Sequence, residues 1–198
     1  MMTRYKNHIA VLILAVACFS LYSNTMNNGF IFDDYHMIVE NQYIRDLGDS
    51  WRFFFTDKIT SVEIPKGMYR PILMLSFSLN YCLGGLVSSG YHIMNIFLHF
   101  LNGAFLYLIL IFFLKKNSFW PSLMCALLFI AHPINTQAVN YISCRSTLLV
   151  SVFYLSSFYL YIKKDTAEAG QRLRLYIGSI FMYLCALLSK ENAVTLPL

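Results

Sequence analysis

The 198 residues are 58% apolar and only 13% charged, with a mean hydropathy of +0.55, a balance that excludes an ordinary soluble domain and points to the membrane. The net charge of +5 is no nucleic-acid signal, because the basic residues stand in short clusters between apolar runs and form no basic stripe. Seventeen Phe and fourteen Tyr fit a bilayer protein, where amphipathic aromatics gather at interfaces and between packed helices.

The first apolar run covers about 8–23. Arg4 and Lys6 precede it, and Ala15-Val16-Ala17-Cys18 resembles a lipoprotein cleavage box. Apolar character nevertheless continues through Phe19 to Tyr22, so the run reads as an uncleaved signal-anchor helix. A long loop, 24–89, follows. Its aromatic piece Ser50-Trp51-Arg52-Phe53-Phe54-Phe55 predicts a fold lying on the membrane surface. Within the loop, Pro71–Leu83 is apolar, opens with Pro at a helix N1 position and stops at Gly84-Gly85. At 1.5 Å per residue it reaches only about 20 Å against a hydrocarbon core of about 30 Å, which predicts an interfacial helix. Four further runs, about 90–114, 119–132, 147–162 and 173–189, complete five predicted spans, with Asp165–Gln171 a polar loop. The five cysteines, Cys18, Cys82, Cys125, Cys144 and Cys185, have no metal-ligand spacing and read as small buried hydrophobes. The predicted fold is therefore all-α: a polytopic transmembrane bundle with a large outer first loop.

Charge fixes the predicted orientation. With Pro71–Leu83 excluded as a span, Arg4, Lys6, Lys115, Lys116, Lys163, Lys164, Arg172 and Arg174 fall on one side, which the positive-inside rule makes cytoplasmic together with the N-terminus. Only Arg145 and Lys190 lie in the short outer segments. The outer face then collects eight of the ten acidic residues.

Five segments carry polar groups suited to chemistry. Asp33-Asp34, flanked by aromatics, repel each other and are partly desolvated, so one carboxylate can be tuned as a base or recruit a cation; the competing reading is a helix N-cap. Arg70, before Pro71, puts a guanidinium at a helix N-terminus that already favours anions, although an Arg snorkelling to lipid headgroups looks the same. Tyr91 and His92 begin a stripe, His92, Asn95, His99 and Asn102, on one helical face. It should face protein or a polar cavity, for substrate binding or for interhelical hydrogen bonds. His132-Pro133-Ile134-Asn135-Thr136-Gln137 and Ser143-Cys144-Arg145-Ser146 form an outer connection. Lys190-Glu191 closes the fifth run, as an internal ion pair or a pair aimed at a charged headgroup.

In this order, Phe32-Asp33-Asp34, Tyr69-Arg70-Pro71-Ile72 with Leu79-Asn80-Tyr81, Gly90-Tyr91-His92 with Asn95 and His99, Ala131-His132-Pro133, and Lys190-Glu191-Asn192-Ala193 resemble the GT-C class of membrane glycosyltransferases. They are most similar to the transmembrane and tetratricopeptide-repeat proteins related to O-mannosyltransferases, over nearly the whole chain. The resemblance implies transfer of a mannose-like sugar from a polyprenyl-phosphate donor to a protein or glycan hydroxyl, on the extracytoplasmic or luminal face. It implies Asp33 or Asp34 as base, and Arg70, Arg145 and Lys190, with Tyr91, His92, His132 and Glu191, as groups binding the donor phosphate or substrate. It assigns no cofactor and leaves a divalent metal open. Two positions depart from the pattern: Gln137 where relatives usually carry Glu after the His-Pro segment, and Thr147 where an acid often follows the Arg motif. The repeats and about half the expected spans are absent, which predicts the N-terminal part of such a domain, 1–198, in a truncated or split product that a second polypeptide would complete. The alternatives from other classes are a noncatalytic membrane scaffold that retains the fold and, more weakly, part of a transporter, whose site would lie at the midplane.

Overall fold

The computed structural model describes residues 2–56, 61, 68–115 and 118–196, with side chains from residue 5 onward. Arg4's side chain, Lys116, Pro197, Leu198 and the loop positions 57–60 and 62–67 lie outside the described residues. Among those described there are seven α-helices, joined by short 3-10 and π turns, and no strand.

Helix α1, Met2–Tyr22, buries Ala10, Leu14, Cys18 and Tyr22, a four-residue spacing that keeps one stripe against its neighbours. Helix α2, Pro71–Gly84, opens on its proline, as the sequence predicts, and stops where Gly85 turns to φ 60°, a conformation open to glycine without a Cβ penalty. Its 14 residues span about 21 Å, too short to cross a bilayer unaided. Helix α3, Ser88–Leu114, is the longest at 27 residues and forms the axis against which α1, α4 and α6 pack. Helix α4, Phe119–Ala131, ends because His132 precedes Pro133 and takes an extended backbone, φ −66° and ψ 127°. After a 3-10 turn, α5, Thr136–Asn140, leads into α6, Arg145–Lys164, whose last-turn Lys163 and Lys164 suit the negative end of the helix dipole. Helix α7, Ala169–Leu187, runs back along α6.

Three helical segments, Tyr5–Asn27, Ser88–Leu114 and Ile142–Lys164, are long and apolar enough to cross a membrane. The pair Phe119–Ala131 and Pro133–Asn140 adds a fourth if taken as one span bent by 47°. The fifth predicted span forms as α7 but is not among them, since Gln171, Arg172 and Arg174 occupy its first turns. The cysteine expectation is met only in part: all five are free, Cys18 is buried, but Cys82 and Cys125 are exposed on apolar helices.

The polar stripe of α3 is the bundle's internal seam, with His92, Asn95, His99 and Asn102 all buried. The His99 ring hydrogen-bonds the Ile130 carbonyl at 3.2 Å, which also accepts from the Tyr22 hydroxyl at 3.2 Å. Asn102 donates to the Leu148 carbonyl at 3.3 Å. Interhelical hydrogen bonding thus accounts for most of the stripe, each bond satisfying a carbonyl that lipid could not. Where α3 and α4 cross, Gly103 faces the fully buried Ile130.

Candidate functional site: an acidic turn braced by the α5–α6 connection

The turn after α1 is shaped by Asp34. Its carboxylate accepts from the Ile31 backbone N–H at 3.0 Å, while Asp34 N donates back to the Ile31 carbonyl at 2.9 Å. This closed loop forces Phe32, between them, to φ 45°, a left-handed conformation that is rare for a bulky side chain. The other Asp34 oxygen accepts from the backbone N–H of Ser143, at 2.9 Å, and from the Ser143 hydroxyl. Asp34 is therefore a fully buried tether between the first loop and the α5–α6 connection. Burial pushes its carboxyl above the ordinary carboxylate value, against the lowering effect of these hydrogen bonds and of nearby His92.

Asp33 points elsewhere. Its side chain is 52% exposed, with one oxygen 3.0 Å from His36 Nε2. The far side of that buried imidazole meets Ser61 Oγ at 2.8 Å. The Asp33 backbone N–H donates to the Tyr141 hydroxyl at 2.9 Å. Two adjacent carboxylates thus have different surroundings: one is fully buried, the other half-exposed and held against His36. Both oxygens of Asp34 are hydrogen-bonded within the turn and its tether. Among the described residues no group of three or more His, Cys, Asp or Glu side chains is placed to hold a metal ion.

The predicted cations divide. Arg145, at the start of α6, is fully buried, its Nε donating to Asn95 Oδ1 at 2.8 Å, Nη1 to the Ser76 carbonyl at 3.2 Å and Nη2 to the Tyr91 carbonyl at 3.0 Å. The guanidinium also lies over the rings of Phe77 and Tyr91, 4.7 and 5.5 Å from their centroids. It locks α2, α3 and α6 together. Arg70 and Lys190 lie nearer the surface. Arg70 pairs with Glu191 at 2.9 Å, and Lys190 donates to Thr147 Oγ1 at 2.9 Å. Backbone hydrogen bonding, then Arg70, holds the Glu191 carboxyl below its ordinary value. These two cations share one end of the bundle with the acidic turn, because α2 begins against the end of α7, Ile72 N donating to the Leu188 carbonyl at 3.3 Å, and Thr147 lies four residues beyond Ser143. Cys144, between them, lies within electrostatic reach of Lys190, Asp34 and Asp33.

The structure therefore brings Asp33 and Asp34 together with Lys190, Arg70 and Glu191 at one end, with Arg145 beneath. It does not bring every predicted residue there. Tyr91 is buried under Arg145, its hydroxyl donating to the Gly85 carbonyl at 3.2 Å. His92 is buried on the α3 seam, near Asp34 and the Asn28 backbone. His132 is exposed beyond α4, where its Nδ1 accepts from the Ile134 N–H at 3.2 Å and caps a 3-10 turn. Sequence reasoning missed Tyr141 and His36, which stand in no recognisable spacing. Ser143 lay inside a segment singled out for its arginine, and its hydroxyl two residues before Arg145 was the available sign.

These features define an all-helical integral membrane protein with a carboxylate displayed at one end of its bundle. No protein-family model matches the chain, and no solved structure does. Curated relatives do. The chain is 31% identical over 194 residues to the mouse protein O-mannosyl-transferase TMTC3, covering 96% of this chain and 20% of that protein. It is 31% identical over 203 residues to human TMTC4, covering 92% and 27%, and 35% identical over 186 residues to fruit-fly Tmtc1, covering 89% and 20%. The chain is thus close to the N-terminal part of these proteins and spans about a fifth to a quarter of their length.

Proposed function

We propose that this chain is the base-bearing part of an inverting, GT-C-like glycosyltransferase that moves a mannose-like sugar from a polyprenyl-phosphate donor to a protein hydroxyl. The observation that carries the reading is the division of labour in the acidic pair: Asp34 ties down the turn from inside, which leaves the Asp33 carboxylate fixed and accessible. That is the arrangement a general base needs. Similarity over nine-tenths of the chain to proteins named O-mannosyl-transferases supplies the reaction class.

In the proposed step the Asp33 carboxylate takes the proton of the acceptor hydroxyl. The hydroxyl oxygen attacks the anomeric carbon as the bond to the lipid phosphate breaks, and the phosphate leaves on the opposite face with the electron pair. Charge building on the leaving group needs a cation nearby. Lys190 and Arg70 lie at the same end of the bundle; Arg145, enclosed by its own hydrogen bonds, contributes field from below. The acid-bearing end faces the lumen or exterior in a multi-pass chain with a cytoplasmic N-terminus, as the distribution of Lys and Arg indicates. Polypeptide outside the matched segment, in the same or a second chain, completes the cavity.

The test is a chimera in which this chain replaces the matching segment of mouse TMTC3. Membranes containing it are incubated with radiolabelled mannosyl-phosphoryl polyprenol, and alkali-labile label on protein is counted. Donor-dependent labelling above that of membranes lacking the chimera is expected. A folded, membrane-inserted chimera that leaves all label on the lipid contradicts the proposal. One observation favours the scaffold reading instead: Arg70 is already paired with Glu191 and Arg145 is sealed. A scaffold would give that same inactive chimera together with unchanged partner binding by Asp33→Asn.

A further inference from the structure

The backbone N–H of Asp33 donates to Tyr141 Oη at 2.9 Å, a contact that reaches across 108 positions of the chain. Tyr141 stands in the connection between α5 and α6, and its own backbone is fixed from below. Asn95 Nδ2 donates to the Tyr141 carbonyl at 3.3 Å and to the Val139 carbonyl at 3.2 Å. Asn95 Oδ1 in turn accepts from Arg145 Nε at 2.8 Å, which fixes the amide's orientation and leaves its NH2 pointing at the connection. The buried guanidinium is therefore linked to the main chain of Asp33 in steps: Arg145 orients Asn95, Asn95 holds the Tyr141 backbone, and the Tyr141 side chain, carried on that backbone, accepts from Asp33 N.

We propose that Tyr141 is a positioning residue for the Asp33 carboxylate, and that Arg145 acts on that carboxylate at one remove, through Asn95 and Tyr141. This rests on the reading of Asp33 as the base and assigns Arg145 a role other than contact with the donor phosphate. The geometry separates two anchors. Ser143 holds the buried Asp34 and with it the existence of the turn; Tyr141 holds Asp33 and with it the direction the exposed carboxylate faces. The phenol is suited to the task, since burial pushes it up to about 12 and keeps it protonated, and it lies within hydrogen-bonding reach of the Asp33 side chain as well. An uncharged phenol accepts from the Asp33 amide through its lone pair and keeps its own proton to steady the carboxylate. A misplacement of about 1 Å is enough to cost catalysis about 100-fold, so an anchor at the backbone of the base matters even though it touches no substrate.

The test is Tyr141→Phe, which removes one oxygen and keeps the ring. Two readouts are taken. In the full chain reconstituted in lipid nanodiscs, hydrogen exchange of the Asp33 amide is expected to accelerate about 2- to 13-fold, as for a lost hydrogen bond. The Ser143 amide, bonded to Asp34, keeps its wild-type rate. In the chimera, kcat is expected to fall about 10- to 100-fold with KM within about twofold and the melting temperature unchanged. A purely structural tyrosine would lower the amount of folded protein and leave kcat per folded molecule alone. Asn95→Leu is expected to repeat the effect on Asp33 exchange in whatever fraction folds, while Tyr141→Phe needs no such allowance. Unchanged exchange at Asp33, or an unchanged kcat in an active chimera, overturns the proposal. A wild-type chimera without transfer counts against the glycosyltransferase reading alone, and the exchange measurement then decides whether Tyr141 holds Asp33.

Discussion

Replacing Gly103 by Ala tests whether the α3–α4 crossing is as close as described. A Cβ at this position would stand 2.6 Å from Ile130 Cδ1 and 2.7 Å from Ile130 Cγ1, well inside van der Waals contact. Both clashing atoms belong to a side chain, which normally gives way. Here it has little room, because Ile130 is fully buried and its carbonyl is held by the Tyr22 hydroxyl and the His99 ring. Relief requires an off-rotamer isoleucine or a wider crossing. Overpacking of this kind costs about 1–3 kcal/mol, and the better helix propensity of Ala returns up to ~1 kcal/mol, so a net loss of about 1–2 kcal/mol is expected. The assay is equilibrium unfolding of the purified chain in micelles, with the midpoint compared at constant slope. Ile130→Ala alone should cost about 2–5 kcal/mol, yet in its background Gly103→Ala should be neutral or stabilising, because the added methyl then fills space. That sign reversal amounts to a coupling of about 1–3 kcal/mol. A neutral Gly103→Ala, or strict additivity of the two changes, would refute the close crossing.

Three further outcomes follow from the acidic turn and its surroundings. Asp34 has a folded-state carboxyl raised above 3.8 by burial, so its contribution to stability is complete below that value and is lost as pH rises through the raised one. Asp34→Asn should accordingly remove its share of the decline in melting temperature expected as pH rises above about 4, and an identical pH dependence in both proteins would contradict the assignment. Phe32 is 82% exposed and strained at φ 45°, so Phe32→Gly should raise stability by about 1 kcal/mol, strain relief exceeding the entropy of a glycine; a fall in the unfolding midpoint would show that the ring packs against something. For topology, single cysteines replacing Phe30 and Asp165 in a background without native cysteine should react with an impermeant maleimide from opposite sides of sealed vesicles, and labelling from the same side would overturn the orientation argued from charge.

The fold was legible in the sequence wherever a physical limit was strong. The apolar runs became helices within a few residues of their predicted ends, except that α1 starts at Met2, six residues before its predicted start; lipid leaves a backbone no other way to satisfy itself, and Pro71 with Gly84-Gly85 bounded α2 as turn chemistry requires. The stripe on α3 was visible from its spacing, but not its purpose, since whether a buried amide meets a ligand or a neighbouring carbonyl depends on what packs opposite. Arg145 shows the limit most clearly. An arginine beside an outer connection looks available from the sequence, yet α2 and α3, both distant in the chain, close around it at the start of α6. Asp33 and Asp34 were legible as a pair and not as two different groups. Their inequality arises from Ser143 and Tyr141, more than a hundred positions away, for which no local pattern gives notice.

The account turns on Asp33 as the group that accepts the proton during transfer, and the most direct measurement is the rate at saturating donor in the chimera carrying Asp33→Asn. Asparagine keeps the size and the backbone bond to Tyr141 but accepts no proton, so a loss of at least about 100-fold is predicted, in the range of a removed general base, with donor KM and folding unchanged. A rate within about twofold of the unsubstituted chimera would contradict the account.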